Sequence, residues 1–348
     1  MSTTGMQTEN PRLDALNAKL RENSLSGHWL RDGEPRPKLQ PRVWPWAVIY
    51  ECLEESGEVV ALGGAGEATN RRTVQIVNPA LKSTARTFQV SVQLVKPGEI
   101  AECHRHTFNA MRFVVESGGM YTTAEGEPQI MESGDLLIQP GWAWHDHTNN
   151  TNEPGIWLDL HDNPLVGYLD SMFSDRFAEG PVQPLTKPPG YSQQRFGTVR
   201  PRTTPVGNRA LPYSYKWRDV LASLESQDSA GESDPYDGVL LEYTNPVTGG
   251  PTLPTIGCWV QMLRPGETTR PHRHTASTLY HTVEGKGVTI LGKGTTEELS
   301  WGEKDCFFVP PWAWHQHRNA SSTERAILFS VTDRSLLETV GFYREEQG

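Results

Sequence analysis

This chain contains little cysteine, and no two cysteines lie close together in the sequence. Four cysteines occur in 348 residues, and they lie far apart at Cys52, Cys103, Cys258 and Cys306. This spacing excludes the cysteine pairs of thiolate zinc sites and the disulfide framework of small secreted domains. We expect all four thiols to be reduced and to pack as small buried side chains.

Long apolar runs and basic runs are missing as well. No stretch approaches the roughly 20 apolar residues of a membrane span, and residues 1–10 are too polar for a secretory signal. The 32 basic and 42 acidic residues give a formal charge of -10 and include no basic run of five or more. A surface of this charge does not favour binding to the phosphate backbone of a nucleic acid. We therefore expect a soluble cytoplasmic protein that binds neither a membrane nor nucleic acid.

Histidine, by contrast, is concentrated in a pattern that occurs twice. The sequence HRH at 104–106 returns at 272–274, and WAWHDH at 142–147 returns as WAWHQH at 312–317. These two segments hold eight of the eleven histidines, and their copies lie 168 and 170 residues apart. A nearly constant separation indicates a duplicated domain, and the chain is long enough for two cores.

Short alternating strands separated by Gly, Pro and Asn turns follow the same repeat. One series begins with FQVSVQLV at residue 88 and another with CWVQMLRP at residue 258, which favours two β sandwiches or barrels. Helices are predicted near residues 13–21, 47–55, 215–224 and 335–346. We predict an N-terminal arm over 1–87, a β domain over 88–176, a linker with a helical segment over 177–250, and a second β domain over 251–348.

The spacing of the histidines predicts a metal site. Side chains alternate along a strand, so His104 and His106 point to one face, and His145 on a facing strand completes a set of three nitrogens. His147 shares the face of His145. Three neutral imidazoles suit Fe(II), Zn, Cu or Ni and leave positions for a substrate and O2. The alternative, buried histidines in structural hydrogen bonds, is disfavoured by paired HxH segments duplicated in phase.

The two segments resemble the two motifs of the cupin superfamily. The first motif contains two histidines in HxH spacing between glycines, and the second ends in P-x-G-x2-H-x3-N. The matching positions are Gly98, His104, His106, Gly118, Gly134, Pro140, His145 and Asn149. Two positions depart: the glutamate slot of the first motif is Ala110 or Met111, and the glycine of the second is Trp142. The resemblance implies an all-β bicupin of two jelly-roll barrels with a helical N-terminal arm, few short helices and a three-histidine site without a carboxylate.

Within the bicupins, the chain resembles the gentisate 1,2-dioxygenase family, which includes salicylate and 1-hydroxy-2-naphthoate dioxygenases. The matching segments are GHWL at 27–30, VWPW at 43–46, NPAL at 78–81, HRHTFNAMRFVVES at 104–117, GDLLIQPGWAWHDHTN at 134–149 and IWLDL at 156–160. The resemblance implies that His104, His106 and His145 hold Fe(II). It also implies that both atoms of O2 enter a salicylate-type acid between the carbons that carry its carboxyl and hydroxyl groups. Members of the family are usually homotetramers.

A carboxylate substrate needs cationic donors, and arginine matches it with two parallel hydrogen bonds. Arg112 lies six residues after His106, an even step along the chain, and it would be costly to bury among apolar neighbours without a partner. The resemblance matches Arg112 and Arg71 to substrate-binding arginines, although a surface charge is an equal reading of Arg71. It also matches His147 to a histidine that hydrogen-bonds the substrate and passes protons.

Further residues are candidates for support and for specificity. Gln93 and Asp159 are expected near the substrate, and Asp159 is equally suited to orienting a histidine ligand. Polar side chains at Gln89 and Thr73 are expected to bond a substituent at ring carbon 5. The segment that usually reads LDGLD in this family is LDLHD at 158–162. We therefore predict gentisate or another 5-substituted salicylate, such as 5-nitrosalicylate, as the substrate.

The second repeat keeps its three histidines but changes the residue expected to anchor a substrate. His272, His274 and His315 are a possible second metal site, while Tyr280 stands at the position of Arg112. This site is expected to be structural, vestigial or separately metallated, and the chemistry is placed in the first barrel. Two other functions stay open: another metal-dependent cupin enzyme, such as an isomerase or a thiol or diketone dioxygenase, and a non-catalytic bicupin for storage or sugar binding.

Overall fold

The computed structural model describes residues 10–30, 37–60, 71–199, 201–202, 211–294 and 297–348. The chain divides into two compact units, residues 1–38 and 39–348. In the first unit, the side chain of Asn10 caps a helix by accepting hydrogen bonds from the backbone N–H groups of Arg12 and Leu13. In the same unit, Trp29 donates a hydrogen bond from Nε1 to Oδ1 of Asn17 at 3.0 Å.

The helices of the described ranges are few and mostly short. They are α1 (Pro11–Glu22), α2 (Trp46–Val59), α3 (Asn163–Tyr168), α4 (Tyr191–Phe196), α5 (Trp217–Ser229) and α6 (Arg334–Thr339). Helices predicted near 13–21, 47–55 and 215–224 are confirmed as α1, α2 and α5. No helix in the described ranges is long and apolar enough to cross a bilayer.

Strands dominate the second unit, as predicted. The first eleven are β1 (Arg42–Trp44), β2 (Thr73–Ile76), β3 (Gln89–Val95), β4 (Ile100–His106), β5 (Ala110–Glu116), β6 (Tyr121–Ala124), β7 (Glu127–Ile130), β8 (Leu136–Gln139), β9 (His145–Thr148), β10 (Gly155–His161) and β11 (Ser174–Arg176). The next eleven are β12 (Tyr213–Tyr215), β13 (Val239–Glu242), β14 (Gly257–Leu263), β15 (His272–His274), β16 (Thr278–Glu284), β17 (Gly287–Leu291), β18 (Glu297–Trp301), β19 (Cys306–Val309), β20 (His315–Asn319), β21 (Ala326–Thr332) and β22 (Glu345–Gln347).

Each repeat forms a jelly-roll barrel from a six-stranded and a five-stranded sheet. The first barrel has the strand orders β12-β8-β5-β10-β3-β2 and β11-β4-β9-β6-β7. The second has the orders β1-β19-β16-β21-β14-β13 and β18-β17-β20-β15-β22. The predicted all-β bicupin architecture with few short helices is confirmed.

The main hydrophobic core lies between the two six-stranded sheets. The rings of Phe113 and Phe329, one from each barrel, stack with their centroids 4.0 Å apart. The Sγ atom of Cys258 lies 3.8 Å from Sδ of Met111 in the same core. Burying apolar surface from both repeats in one core stabilises the two barrels as a unit.

Strand alternation gives the first six-stranded sheet one apolar face and one face that carries both polar and apolar side chains. Val92, Phe113 and Leu158, from neighbouring strands, belong to the core between the sheets. Their neighbours along the same strands point the other way, because successive side chains alternate. Arg112 and Asp159 are partners in register on that second face. The polar residues predicted for the site therefore share the inner face of the first barrel.

Each repeat contributes one strand to the sheet of the other. Strand β1 precedes the first barrel but pairs with β19 of the second, and β12 precedes the second barrel but pairs with β8 of the first. The helix after each strand is fixed in the same way: Trp46 donates its backbone N–H to Oδ1 of Asp305 at 2.7 Å, and Trp217 donates to Oδ1 of Asp135 at 2.9 Å. Strand β1, which lies within the predicted N-terminal arm, therefore packs on the second barrel.

The predicted domain boundaries stay a prediction, although several strands lie outside the predicted β domains. Strand β2 lies within the predicted arm, and β12 and β13 lie within the predicted linker, yet all three belong to sheets. The predicted helix over 335–346 is wrong beyond Thr339. Gly341 takes a positive φ of 76°, which ends the helix in the left-handed conformation that glycine favours. The following residues pair as β22 with β15.

Candidate active site

The first barrel brings the three predicted histidines together. His104 and His106 lie on β4, and His145 lies on β9 opposite His104 in register. The ring centroid of His145 is 4.4 Å from that of His104 and 4.9 Å from that of His106. One ligand atom from each residue lies within 4.8 Å of the others. This spacing fits three nitrogens around a single metal ion.

Backbone carbonyl groups orient the imidazoles. Nδ1 of His106 donates to the carbonyl oxygen of Phe108 at 2.8 Å, and Nδ1 of His145 donates to that of Ala143 at 3.0 Å. A carbonyl oxygen only accepts, so each Nδ1 carries the proton and each Nε2 presents its lone pair. Nε2 of His145 is buried without a hydrogen-bond partner among the described residues. The residues present therefore fit a metal ion.

All three imidazoles are held neutral, as metal ligands must be. Burial lowers the pKa of His106 to about 3. Burial and then the charge of Arg71 lower the pKa of His104 to about 2. Burial also lowers the pKa of His145, with the two other histidines adding to the shift. A neutral ring keeps a lone pair available for the ion at ordinary pH.

The turn that leads into His145 takes an unfavourable conformation. Trp142, which replaces the motif glycine, has φ of 69°, a left-handed conformation that costs a non-glycine residue roughly 1–3 kcal/mol. Its backbone N–H donates to the carbonyl of His106 at 2.7 Å. The guanidinium of Arg105 stacks 4.3 Å from the ring of Trp142 and 4.4 Å from that of Trp144. These contacts hold the turn between two metal ligands.

Arg112 is buried beside the histidines in a network of polar side chains. It donates from Nη1 to Oε1 of Gln139, and Gln139 donates in turn to Oε1 of Gln129 at 2.7 Å. Nε of Arg112 lies 3.3 Å from Oδ1 of Asp159, which also accepts from Nε1 of Trp157 at 2.9 Å. Burial raises the pKa of Asp159, and the charge of Arg112 opposes that shift. The ion pair therefore keeps a fixed cation in the barrel.

Arg71 brings a second cation to the same place. Its Nη2 donates to the carbonyl oxygen of Glu102 at 3.1 Å and lies 2.9 Å from Nδ1 of His104. Burial and the charge of Arg112 lower the pKa of Arg71 to about 10, so it stays charged at neutral pH. These contacts hold Arg71 beside the histidines.

Buried donors around the cluster are unsatisfied. Nη1 of Arg71 and Nε2 of Gln93 have no hydrogen-bond partner within the described part of the chain, whereas Nε of Arg112 faces Oδ1 of Asp159 in their ion pair. Buried donors are rarely left unpaired, because each loses its hydration without compensation. The donor on Arg71 carries positive charge. The two unpaired donors match the needs of a bound anion.

His147 and His161 add two imidazoles to the pocket. Nδ1 of His147 lies 2.8 Å from Oγ1 of Thr122, and its ring is 6.2 Å from that of His145. His161, which the sequence reasoning did not select, has its ring 6.1 Å from that of His106. Burial lowers the pKa of both. Strand alternation offered a signal for His161, since it lies two residues after Asp159.

Gln89 and Thr73 are placed differently from each other. Gln89 lies opposite His161 in register, but its Nε2 donates to the backbone carbonyls of Val90 and Ile76. The hydrogen bonds of that nitrogen are therefore made within the protein. Thr73 is half-buried on β2, opposite Gln93. The structure therefore brings Gln93 and Thr73 together but gives Gln89 a structural role for its amide nitrogen.

The second barrel contains a matching histidine cluster. His272, His274 and His315 present ligand atoms within 4.8 Å of one another. Tyr280 occupies the position of Arg112, and its ring stacks 4.8 Å from that of Phe307. The second barrel therefore keeps the three imidazoles without the buried arginine.

Two jelly-roll barrels that each carry three converging histidines define a bicupin with candidate metal sites. The family model for the cupin domain matches residues 91–161 and 259–332. The chain is 38% identical to 5-aminosalicylate 1,2-dioxygenase of Comamonas sp, over 96% of this chain and 90% of that protein. It is 34% identical to gentisate 1,2 dioxygenase 1 of Aquipseudomonas alcaligenes, over 95% of each chain.

A solved structure agrees with these relatives. Salicylate 1,2-dioxygenase from Pseudoaminobacter salicylatoxidans, crystallised as an adduct with gentisate, superposes with a TM-score of 0.87 at 29% identity, covering 99% of this chain and 97% of that one. The chain therefore belongs to the gentisate 1,2-dioxygenase family of bicupin ring-cleaving dioxygenases. It is an oxidoreductase of that family, which removes the non-catalytic bicupin from the alternatives.

Proposed function

We propose that this enzyme uses Fe(II) in its first barrel to insert both atoms of O2 into a 5-substituted salicylate. The ring opens between the carbons that carry the carboxyl and hydroxyl groups. The observation that carries the proposal is the pair of buried arginines beside three converging imidazoles, with an unpaired guanidinium nitrogen on Arg71. A salicylate-type acid supplies an anion for this nitrogen.

His104, His106 and His145 would hold the iron, which supplies a redox-active centre where substrate and O2 meet. The absence of a carboxylate ligand leaves more coordination positions open for a chelating substrate. The slot for that carboxylate is occupied by Ala110 or Met111, and both are buried and apolar. Three histidine ligands without a carboxylate suit a metal that must bind the substrate and O2 at the same time.

The protein's own groups bind and orient the substrate. Arg112 and Arg71 bind the carboxylate, and Gln93 donates a further hydrogen bond from Nε2. His147, kept neutral by burial and oriented through Nδ1 by Thr122, accepts or returns a proton at the phenolic oxygen through Nε2. Asp159 balances the charge of Arg112 and fixes its direction. Roles of this kind need fixed positions, and the buried network supplies them.

The substituent at carbon 5 is the feature that distinguishes the candidate substrates. We propose that His161, a neutral imidazole beside the iron ligands, contacts this substituent, and that Thr73 faces it from β2. The family usually carries an apolar residue at the position of His161. An imidazole both donates and accepts hydrogen bonds, so it suits a hydroxyl, an amino or a nitro group. Gentisate, 5-aminosalicylate and 5-nitrosalicylate are therefore the candidates.

A substrate panel tests this proposal. We expect iron-loaded enzyme to consume O2 with at least one of the three 5-substituted acids, with kcat/KM about tenfold above that for salicylate. One well-made polar contact of about 1.4 kcal/mol gives this factor. His161→Leu should bring the ratio close to one. His281→Leu, which changes a buried histidine outside both clusters, should leave the ratio unchanged. No O2 uptake with any of the four acids by the iron-loaded protein would refute the proposed function.

We propose that the enzyme is a cytoplasmic homotetramer. The four cysteines are free, which supports a reducing compartment. Apolar side chains between β10 and β11 are exposed, including Tyr168, Leu169 and Phe173. Exposed apolar patches on a folded chain mark interaction surfaces. Sedimentation equilibrium is expected to give four chains per particle, and a concentration-independent monomer would contradict this.

A further inference from the structure

The second histidine cluster repeats the geometry of the first. The ring of His315 lies 4.2 Å from that of His272 and 5.0 Å from that of His274. Nδ1 of His274 and Nδ1 of His315 donate to backbone carbonyls at 3.1 and 3.0 Å, which leaves each Nε2 with its lone pair. Nε2 of His315 is buried, and no described residue hydrogen-bonds to it. Two of the three imidazoles are therefore oriented as metal ligands, whereas Nδ1 of His272 has no hydrogen-bond partner among the described residues.

One charge beside this cluster is opposite in sign to its counterpart beside the first. Register aligns the two repeats: Thr73 pairs with Gln93, and Leu240 pairs with Gln261. By this alignment, the position of Arg71 corresponds to Gly238, which has no side chain. The preceding residue, Asp237, places Oδ1 3.9 Å from Nε2 of His272. The first cluster is approached by a cation at this corner, whereas the second is approached by an anion.

The cavity beside the second cluster is small. Its volume is about 50 Å³, and its lining includes Asp237, His272, His274 and Tyr280. One ordered water needs about 10–15 Å³ of such volume, and an apolar cavity of about 150 Å³ holds benzene. The cavity therefore has room for an ion and water, and it is about a third of the size of one that holds an aromatic ring. Arg334 also lines it, but its Nε donates to Glu338 at 2.7 Å.

We propose that His272, His274, His315 and Asp237 form a second metal site that binds a divalent transition ion and no aromatic acid. Three imidazoles and one carboxylate form a four-ligand set of the kind that Zn²⁺ takes. Oδ1 of Asp237 is 3.9 Å from Nε2 of His272, close to the separation of about 3.4 Å between two tetrahedral ligands that lie about 2.1 Å from one ion. The carboxylate also offsets part of the charge of a buried ion.

Zn²⁺ binding to a chain without its first site tests the proposal. The variant His104→Ala with His145→Ala is stripped by a chelator and titrated with Zn²⁺ against a chromophoric competitor, with no substrate present. We expect one Zn²⁺ per chain. Adding Asp237→Asn should weaken the binding at least about tenfold. Adding Glu345→Gln is the matched control, since Glu345 lines the same cavity but accepts a hydrogen bond from Tyr343. Its affinity should change less than about threefold.

Two results would overturn the proposal. If the double histidine variant binds less than about a tenth of a Zn²⁺ ion per chain, the second metal site does not exist. Equal Zn²⁺ affinity with aspartate and with asparagine at position 237 would exclude the carboxylate as a ligand. If the double variant does not fold, total metal in the wild-type chain replaces it: two Zn²⁺ per chain are expected, against one in His315→Ala. These readouts use neither substrate nor O2, so they stand apart from the test of ring cleavage.

Discussion

Replacing His145 by alanine is expected to remove iron from the first barrel and to slow ring cleavage at least about a thousandfold. The residue supplies one of three nitrogens, and its Nε2 is buried with no partner among the described residues. Removing a group that merely supports a ligand costs about 10- to 100-fold in metal affinity or activity. Loss of the ligand itself should therefore cost more.

The measurement combines metal content with O2 uptake. Total iron should fall by one ion per chain, and far-ultraviolet circular dichroism should be unchanged, because the barrel keeps its hydrophobic core. His281→Leu is the matched control: it also replaces a buried histidine, but one that lies 5.6 Å from Phe113 in the core between the barrels. Full iron content and full activity in His145→Ala would exclude this residue as a ligand.

Replacing Arg112 by alanine should separate substrate binding from metal binding. Iron is expected to stay, because Arg112 is not a ligand. The loss of a desolvated contact to the carboxylate should lower kcat/KM by roughly 30- to 5,000-fold, the equivalent of about 2–5 kcal/mol. Most of the change should appear as a raised KM, because the contact holds the substrate before and during reaction.

The same substitution should also destabilise the fold, and the two effects need to be distinguished. Asp159 would remain buried without its cation, which costs about 3–5 kcal/mol. Adding Asp159→Asn should recover stability in thermal unfolding without recovering kcat/KM. Arg72→Ala is the control, because Arg72 is buried and forms an ion pair with the partly exposed Glu99, and neither residue is a proposed substrate or metal ligand. The stability of the Arg72→Ala variant should fall while its KM stays unchanged. An unchanged KM in Arg112→Ala would exclude carboxylate binding by this residue.

Local patterns in the sequence were sufficient to predict the histidine cluster. HxH spacing on an alternating strand fixes two side chains on one face whatever the rest of the fold does, so His104 and His106 were predictable. Arg112 followed from the same rule. The position of Asp237 was not predictable in this way, because it precedes a strand and has no motif around it. Its approach to His272 depends on how β13 pairs with β14.

Long-range strand pairing also escaped the sequence reasoning. The residues of β1 and β19 are more than 250 positions apart, and each strand has ordinary composition. Nothing in three residues such as Arg42–Trp44 specifies which of two similar barrels they join. The C-terminal helix was overextended for a different reason. Its apolar spacing continues past Gly341, where the backbone turns into the left-handed region.

The exchange of β1 and β12 makes the duplicated chain equivalent to a domain-swapped dimer whose subunits have been fused. Neither half of the chain forms a complete barrel alone, because the leading strand of each half pairs with the sheet of the other. The first barrel therefore depends on a strand from the second half of the chain, whatever chemistry the second half performs. The interior of the second barrel can differ from that of the first, as it does where Tyr280 stands at the position of Arg112, while its leading strand still completes the first barrel. Completing the first barrel and filling the interior of the second are therefore separate requirements within one chain.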